Sequence, residues 1–168
     1  MAVVATAEAG LRAAARATIL QLRAPDATTR RLEREAMTLV ARSPVPVVVS
    51  SRCDVALAAG AAGVNLPEHD IGIDDARRLI GTGLVGRSVH SLAGARRAQD
   101  EGADFVLFGP VWPSASHPDA SPQGIEELAR VARALRIPVL AIGGVTEDRV
   151  AECRRAGAAG YAAIRMFA

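Results

Sequence analysis

The chain has 168 residues, half of them hydrophobic and only 3% aromatic, with a net charge of +2. That length suits one domain, residues 1–168, with a sizeable core, and the scarcity of aromatic rings argues against a nucleic-acid stacking surface. All twenty basic residues are arginine, which excludes Schiff-base aldolase chemistry, a pyridoxal phosphate linkage and a P-loop, since each needs a lysine.

The first sixteen residues are rich in alanine and read more as helix than as strand, while Glu8, Arg12 and Arg16 interrupt the apolar run that a signal peptide needs. Short apolar, β-branched runs then recur at 18–22, 45–49, 63–66, 84–88, 105–109, 139–143 and 160–164, with helical periodicity at 26–41, 73–79, 92–102, 125–135 and 147–156. Strand and helix alternate throughout. Ala58-Ala-Gly-Ala-Ala-Gly-Val64, Asp100-Glu-Gly-Ala-Asp-Phe-Val106 and Arg155-Ala-Gly-Ala-Ala-Gly-Tyr161 each close a helix on glycine and lead into a strand. Strand starts at steps of roughly 20 residues favour an α/β barrel of the (β/α)8 TIM type over a doubly wound sheet. Seven strands leave the ring one short, so the first strand and last helix are expected to be absent unless a strand precedes Met1. Open edges of that kind invite association, making a homo-oligomer a possible state.

Between strands, Arg30, Arg31, Arg34, Arg96 and Arg97 read as solvated helix faces rather than a basic patch. Cys53 and Cys153 show neither metal-ligand spacing nor a disulfide framework, which points to a reducing compartment. No apolar run approaches the roughly 18 residues of a membrane span, so the expectation is a cytoplasmic protein with neither membrane nor nucleic acid as partner.

Three places carry chemistry. Gln21 and Arg23 alternate with Leu20 and Leu22 at a strand end, which can aim both into a barrel mouth toward an anionic or heterocyclic group. The strand Phe105-Val-Leu-Phe-Gly109 empties into a loop reaching Gly124, where Pro110, Pro113, Pro118 and Pro122 forbid a helix and loop length suggests function. Its Trp112 either covers a ligand ring or packs the loop down. Finally, Gly143 and Gly144 end a strand before a helix, so amide groups and the helix dipole can face an anion. With the backbone at Ile164 and Arg165 they form the phosphate site that barrels build after strands seven and eight.

Several phrases together resemble the superfamily of thiamine phosphate synthase and thiazole tautomerase (TenI-like): Gln21-Leu-Arg23, Asp54-Val-Ala-Leu-Ala58 with Gly63-Val-Asn-Leu66, Val85-Gly-Arg-Ser-Val-His90-Ser91, Gly109-Pro-Val-Trp-Pro113, Ala141-Ile-Gly-Gly-Val145 and Ala156-Gly-Ala-Ala-Gly160. The resemblance runs over nearly everything from Thr18 onward. It implies a phosphate-binding barrel that handles a small-molecule thiazole phosphate in thiamine biosynthesis. It places that phosphate at Gly144, Ile164 and Arg165, where serine is usual in the last position. Ser88, Ser114 and Ser116 match ligand-contacting positions of the synthase branch, and Gln21 with Arg23 match its pyrimidine diphosphate site. That branch, however, has lysine where Pro25 stands and lysine where His117 stands. It also has an Asn-Asp pair at Ser50-Ser51, leaving Asp70 as the one remaining aspartate of a magnesium pair.

These departures favour the tautomerase, an isomerase that needs a proton taken and returned near neutral pH, with no cofactor. The expected acid/base is His117, standing in for a tautomerase histidine whose place Pro110 occupies. His90 is the second catalytic candidate, although it reads more readily as a structural hydrogen-bonding residue. The alternative is thiamine phosphate synthase, a transferase that couples hydroxymethylpyrimidine diphosphate to thiazole phosphate with Mg2+, and there Asp70 becomes a metal ligand. A third reading is a non-catalytic relic that binds a phosphate ligand.

Overall fold

Runs rich in valine, leucine and alanine pair side by side in chain order, each strand parallel to the next, to form an eight-stranded ring. The computed structural model describes residues 1–114 and 120–167. The strands are β1 (Ala2–Val4), β2 (Leu20–Leu22), β3 (Val47–Ser50), β4 (Gly63–Leu66), β5 (Leu84–Val89), β6 (Phe105–Phe108), β7 (Val139–Ile142) and β8 (Gly160–Ala162). Between them run α1 (Ala7–Ala13), α2 (Thr29–Arg42), α3 (Cys53–Ala59), α4 (Ile73–Ile80), α5 (Leu92–Asp100), α6 (Gly124–Ala134) and α7 (Val150–Arg155), with single 3-10 turns at Glu147–Arg149 and Arg165–Phe167. Side-chain oxygens of Thr6, Thr28 and Ser91 cap the starts of α1, α2 and α5. This is the TIM-type barrel that the βα alternation predicts.

The expectation of a missing first strand is corrected. Ala2 pairs with Leu20 in β2 and also bridges to Ala163 beyond β8, and Val3 N–H donates to Ala163 O at 3.0 Å. Three residues are too few to show periodicity, which hides the strand in the sequence. The crossover that follows is not cramped, because α1 presents small residues to α2. A Cβ on Gly10 would lie 2.7 Å from Leu39 Cδ1. At the other end the expected absence of the last helix is also corrected: the chain continues from β8 into the Arg165–Phe167 turn, where Phe167 is buried and stacks on Tyr161 with ring centres 6.3 Å apart. With β1 joined to β8, the open edges expected to invite association are gone.

The strands are buried on both faces, as parallel strands under helices must be. Outward residues such as Leu20, Val49, Leu66, Val85 and Phe108 form one apolar layer beneath the helices. Inward residues Met1, Val3, Val48, Phe105, Leu107 and Ala162 form a second cluster inside the ring, joined by Ile19, Leu140 and Ile142. The interior is uneven. Strand register places Ser50 beside Asn65 and Gln21 between Val3 and Val48, so β2 to β5 turn polar groups inward where β6 to β8 turn only apolar ones. No helix among the described residues is long and apolar enough to cross a membrane.

Candidate active site

The polar half of the interior contains two acceptors without partners. Gln21 is 2% exposed and Asn65 1%, and neither Gln21 Oε1 nor Asn65 Oδ1 accepts a hydrogen bond from any of the described residues. Leaving such an atom unpaired costs about 1–3 kcal/mol, so a donor from protein, water or ligand is expected there. Asn65 Nδ2 donates to Ser88 Oγ at 3.0 Å, which leaves the Ser88 hydroxyl proton free to be given to another group. Gln21, Asn65 and Ser88 thus face one interior region below the C-terminal mouth of the barrel, where TIM-type active sites lie.

On the opposite wall the loop after β6 is stitched to the end of β7. Val111 N–H donates to Ile142 O at 2.9 Å and Trp112 N–H to Gly143 O at 3.1 Å, while Gln123 N–H returns to Pro110 O at 2.8 Å. Gly143 and Gly144 have φ of +88° and +65°. Their lack of a side chain serves this packing: a Cβ on Gly143 would stand 2.5 Å from Pro110 Cβ, and one on Gly144 2.6 Å from both Pro113 O and Trp112 Cβ. The N–H groups of Gly144, Ile164 and Arg165 donate to no backbone carbonyl among the described residues, so three amides remain open beside the mouth. The helix expected directly after the glycines is instead a 3-10 turn followed by the six-residue α7, so the amides rather than a long helix dipole supply the positive potential.

Arg149 braces this wall. Its Nη1 donates to Gly144 O at 2.7 Å and its guanidinium lies 5.0 Å from the centre of the Trp112 ring. Since Trp112 is the only tryptophan, its fluorescence reports the contact. Arg149→Ala should shift the emission and lower stability by about 1–2 kcal/mol through loss of the cation–π pair and the hydrogen bond. Unchanged emission would mean that the cation does not sit on the indole in solution.

Asp70 closes the third side. Its Oδ2 accepts from the Ser51 hydroxyl and its Oδ1 from Ile71 N–H at 2.8 Å. His90 places Nδ1 on Gly109 O, a contact that requires the proton on Nδ1, and turns Nε2 toward Glu68 Oε2 at 3.9 Å. It therefore ties three loops together. Arg23 is exposed at the end of β2 and its N–H bonds Val4 O at 2.8 Å. Among the described residues no cluster of three or more His, Cys, Asp or Glu could hold a metal ion by itself.

The residues expected from sequence thus fall around one mouth: Gln21 and Ser88 inside, Arg23, Asp70 and His90 at the rim, and Gly143, Gly144, Ile164 and Arg165 on the far wall. Ser114 is half-buried in the loop after β6. Ser116 and His117 lie outside the described residues. Asn65 and Arg87 are not singled out by the sequence reading. Their signal is a lone amide between Val64 and Leu66, and a lone charge between Val85 and Val89, in strands otherwise apolar or small.

The description of one protein family, Thiamine monophosphate synthase, fits residues 2–167 of the chain. The thiamine-phosphate synthase of Chloroflexus aurantiacus is 40% identical over 152 residues, 88% of this chain and 70% of that protein. That of Anaeromyxobacter dehalogenans is 44% identical over 164 residues, 96% of this chain and 73% of that protein. Among solved structures, the thiamine phosphate pyrophosphorylase from Pyrococcus furiosus superposes with a TM-score of 0.88 at 32% identity, over 97% of this chain and 83% of that one. These relatives overturn the expected TenI-like tautomerase. That expectation weighs three single-residue departures, at Pro25, Ser51 and His117, against a likeness spread over the whole barrel.

Proposed function

From the premise that the chain belongs to the thiamine monophosphate synthase family, we propose that it is a transferase of thiamine biosynthesis that joins hydroxymethylpyrimidine diphosphate to thiazole phosphate. The name shared by its relatives carries the choice of reaction. The geometry of the mouth supports it, because two ligands of the required chemistry have separate walls. A C–N bond forms between the thiazole nitrogen and the pyrimidine methylene carbon. The C–O bond to the diphosphate breaks, and its electron pair leaves with pyrophosphate.

In this reading the open amides of Gly144, Ile164 and Arg165 receive the thiazole phosphate, with Gly143 setting the turn and the Arg165 guanidinium adding a charge. Gln21 Oε1 and Asn65 Oδ1 accept from the N–H groups of the aminopyrimidine and so orient its methylene toward the far wall. Ser88 and Ser114 offer hydroxyl protons, and Arg23 a guanidinium, to diphosphate oxygens. Ser116 and His117, in the same loop as Ser114, are further candidates for that contact. Asp70 would hold Mg2+ together with the diphosphate. One protein carboxylate plus substrate phosphate is a donor set that suits this ion, which would neutralise charge on the departing pyrophosphate.

The protein mixed with hydroxymethylpyrimidine diphosphate, thiazole phosphate and Mg2+ is expected to form thiamine phosphate and release an equal amount of pyrophosphate, followed by chromatography. Folded protein that yields neither product overturns the proposal.

A further inference from the structure

The outward positions of β5 are Val85, Arg87 and Val89, and the two valines belong to the apolar layer beneath the helices. A guanidinium in that layer is out of place on hydrophobic grounds alone. Arg87 is 5% exposed, and burial pushes its pKa down from the usual arginine value. Among the described residues it has no close ion pair. Its Nη1 donates to Pro67 O and its Nη2 to Ile71 O, each at 2.7 Å, while Glu101, Asp70 and Glu68 act on it only as neighbouring charges. Burying an arginine for two neutral carbonyls carries a desolvation penalty that an apolar side chain would avoid.

Those two carbonyls bracket one turn. Pro67 and Ile71 are its ends, and Asp70 N–H folds back to Pro67 O at 3.2 Å. The turn then reaches β3 through the Asp70 carboxylate on the Ser51 hydroxyl, and β5 through Glu68 Oε1, which accepts from His90 N–H at 3.4 Å. A guanidinium is a planar fork with donors at a fixed separation, so gripping both ends sets the span of the turn, which a single ammonium cannot do.

We infer that Arg87 is a positioning residue, which acts from the outer side of β5 to hold the Pro67–Ile71 turn so that Asp70 stands at the mouth. The consequence for catalysis rests on the proposed role of Asp70 toward the diphosphate and its cation. Arg87 touches neither substrate.

Two readouts separate the inference from that role. In the full-length chain, Arg87→Met should speed amide hydrogen exchange across residues 68–72 by roughly tenfold or more while leaving β1, β2 and β7 unchanged. Arg87→Lys should show the same local loosening, and it serves where the methionine variant does not fold. Mn2+ binding in the presence of inorganic pyrophosphate, read by electron paramagnetic resonance, should weaken roughly tenfold in either variant, as when a residue supporting a metal ligand is lost. Unchanged exchange at 68–72, or restoration of wild-type exchange by lysine, overturns the inference whatever the Mn2+ result. Wild-type Mn2+ binding by Asp70→Asn instead overturns the proposed role of Asp70, and the exchange data still decide Arg87.

Discussion

Gln21→Met is expected to make the protein more stable and much less active. Methionine matches glutamine in length and volume, so packing between Val3 and Val48 changes little. What disappears is a buried carbonyl without a donor. Its removal should raise unfolding free energy by about 1–2 kcal/mol, measured by urea titration of the ligand-free protein. Turnover should fall about 10- to 100-fold, mostly through weaker use of the pyrimidine substrate, because in the proposed function that oxygen accepts a hydrogen bond from it. The opposite signs are the test. A variant that loses stability and keeps activity would show that Gln21 does structural work alone.

Gly144→Ala is expected to damage both properties together. The backbone there is left-handed, which costs a non-glycine residue about 1–2 kcal/mol, and the new Cβ would press within 2.6 Å of Pro113 O and Trp112 Cβ. Neither neighbour can yield without straining the Trp112 N–H bond to Gly143 O. The total should reach about 2–4 kcal/mol by denaturant titration, and a shift of the amides by an ångström should weaken thiazole phosphate binding roughly 100-fold in calorimetry. Gly60→Ala is the matched control. Its φ is +66° with nothing within 4 Å of the added carbon, so it should lose about 1 kcal/mol and bind normally. If Gly144→Ala binds like Gly60→Ala, the phosphate does not use this wall.

The contrast between those two glycines shows how far sequence can be read. Both are marked as needing a special backbone, one by a helix ending in a repeated Ala-Gly phrase, the other by a strand ending in two glycines. Only the fold reveals that Pro110 and Pro113 sit against the second site, and those residues are more than thirty positions away. Seven strands were legible because each is an apolar run bounded by glycine or proline. The first was not, since Ala-Val-Val followed by alanine-rich helix carries no period. Gln21 was legible at a strand end by alternation. Asn65 and Arg87 depend on knowing which side of the ring each faces, and alternation alone cannot tell inside from outside when both are buried. The choice of reaction drawn from sequence is overturned because it rests on single positions, such as Pro25 and Ser51, weighed one at a time against a likeness that runs over residues 2–167.

The seam between β1 and β8 bears on how the ring is made. Met1 N reaches Tyr161 O across 160 positions of sequence, and the bridge at Ala2 and Ala163 depends on the same long return. Each strand from β2 to β7 pairs with the strands next to it in sequence, but β1 meets its second neighbour only across some 160 residues. The seam therefore cannot close before residues 161–163 are in place, whereas β1 can pair with β2 from the start. Loop closure on that scale slows folding. Among the described residues the seam rests on three backbone hydrogen bonds, Met1 N to Tyr161 O, Val3 N–H to Ala163 O and Ala163 N–H to Met1 O, so amide exchange faster at Val3 and Ala163 than in β3 to β6 is the expected sign that the ring opens there first.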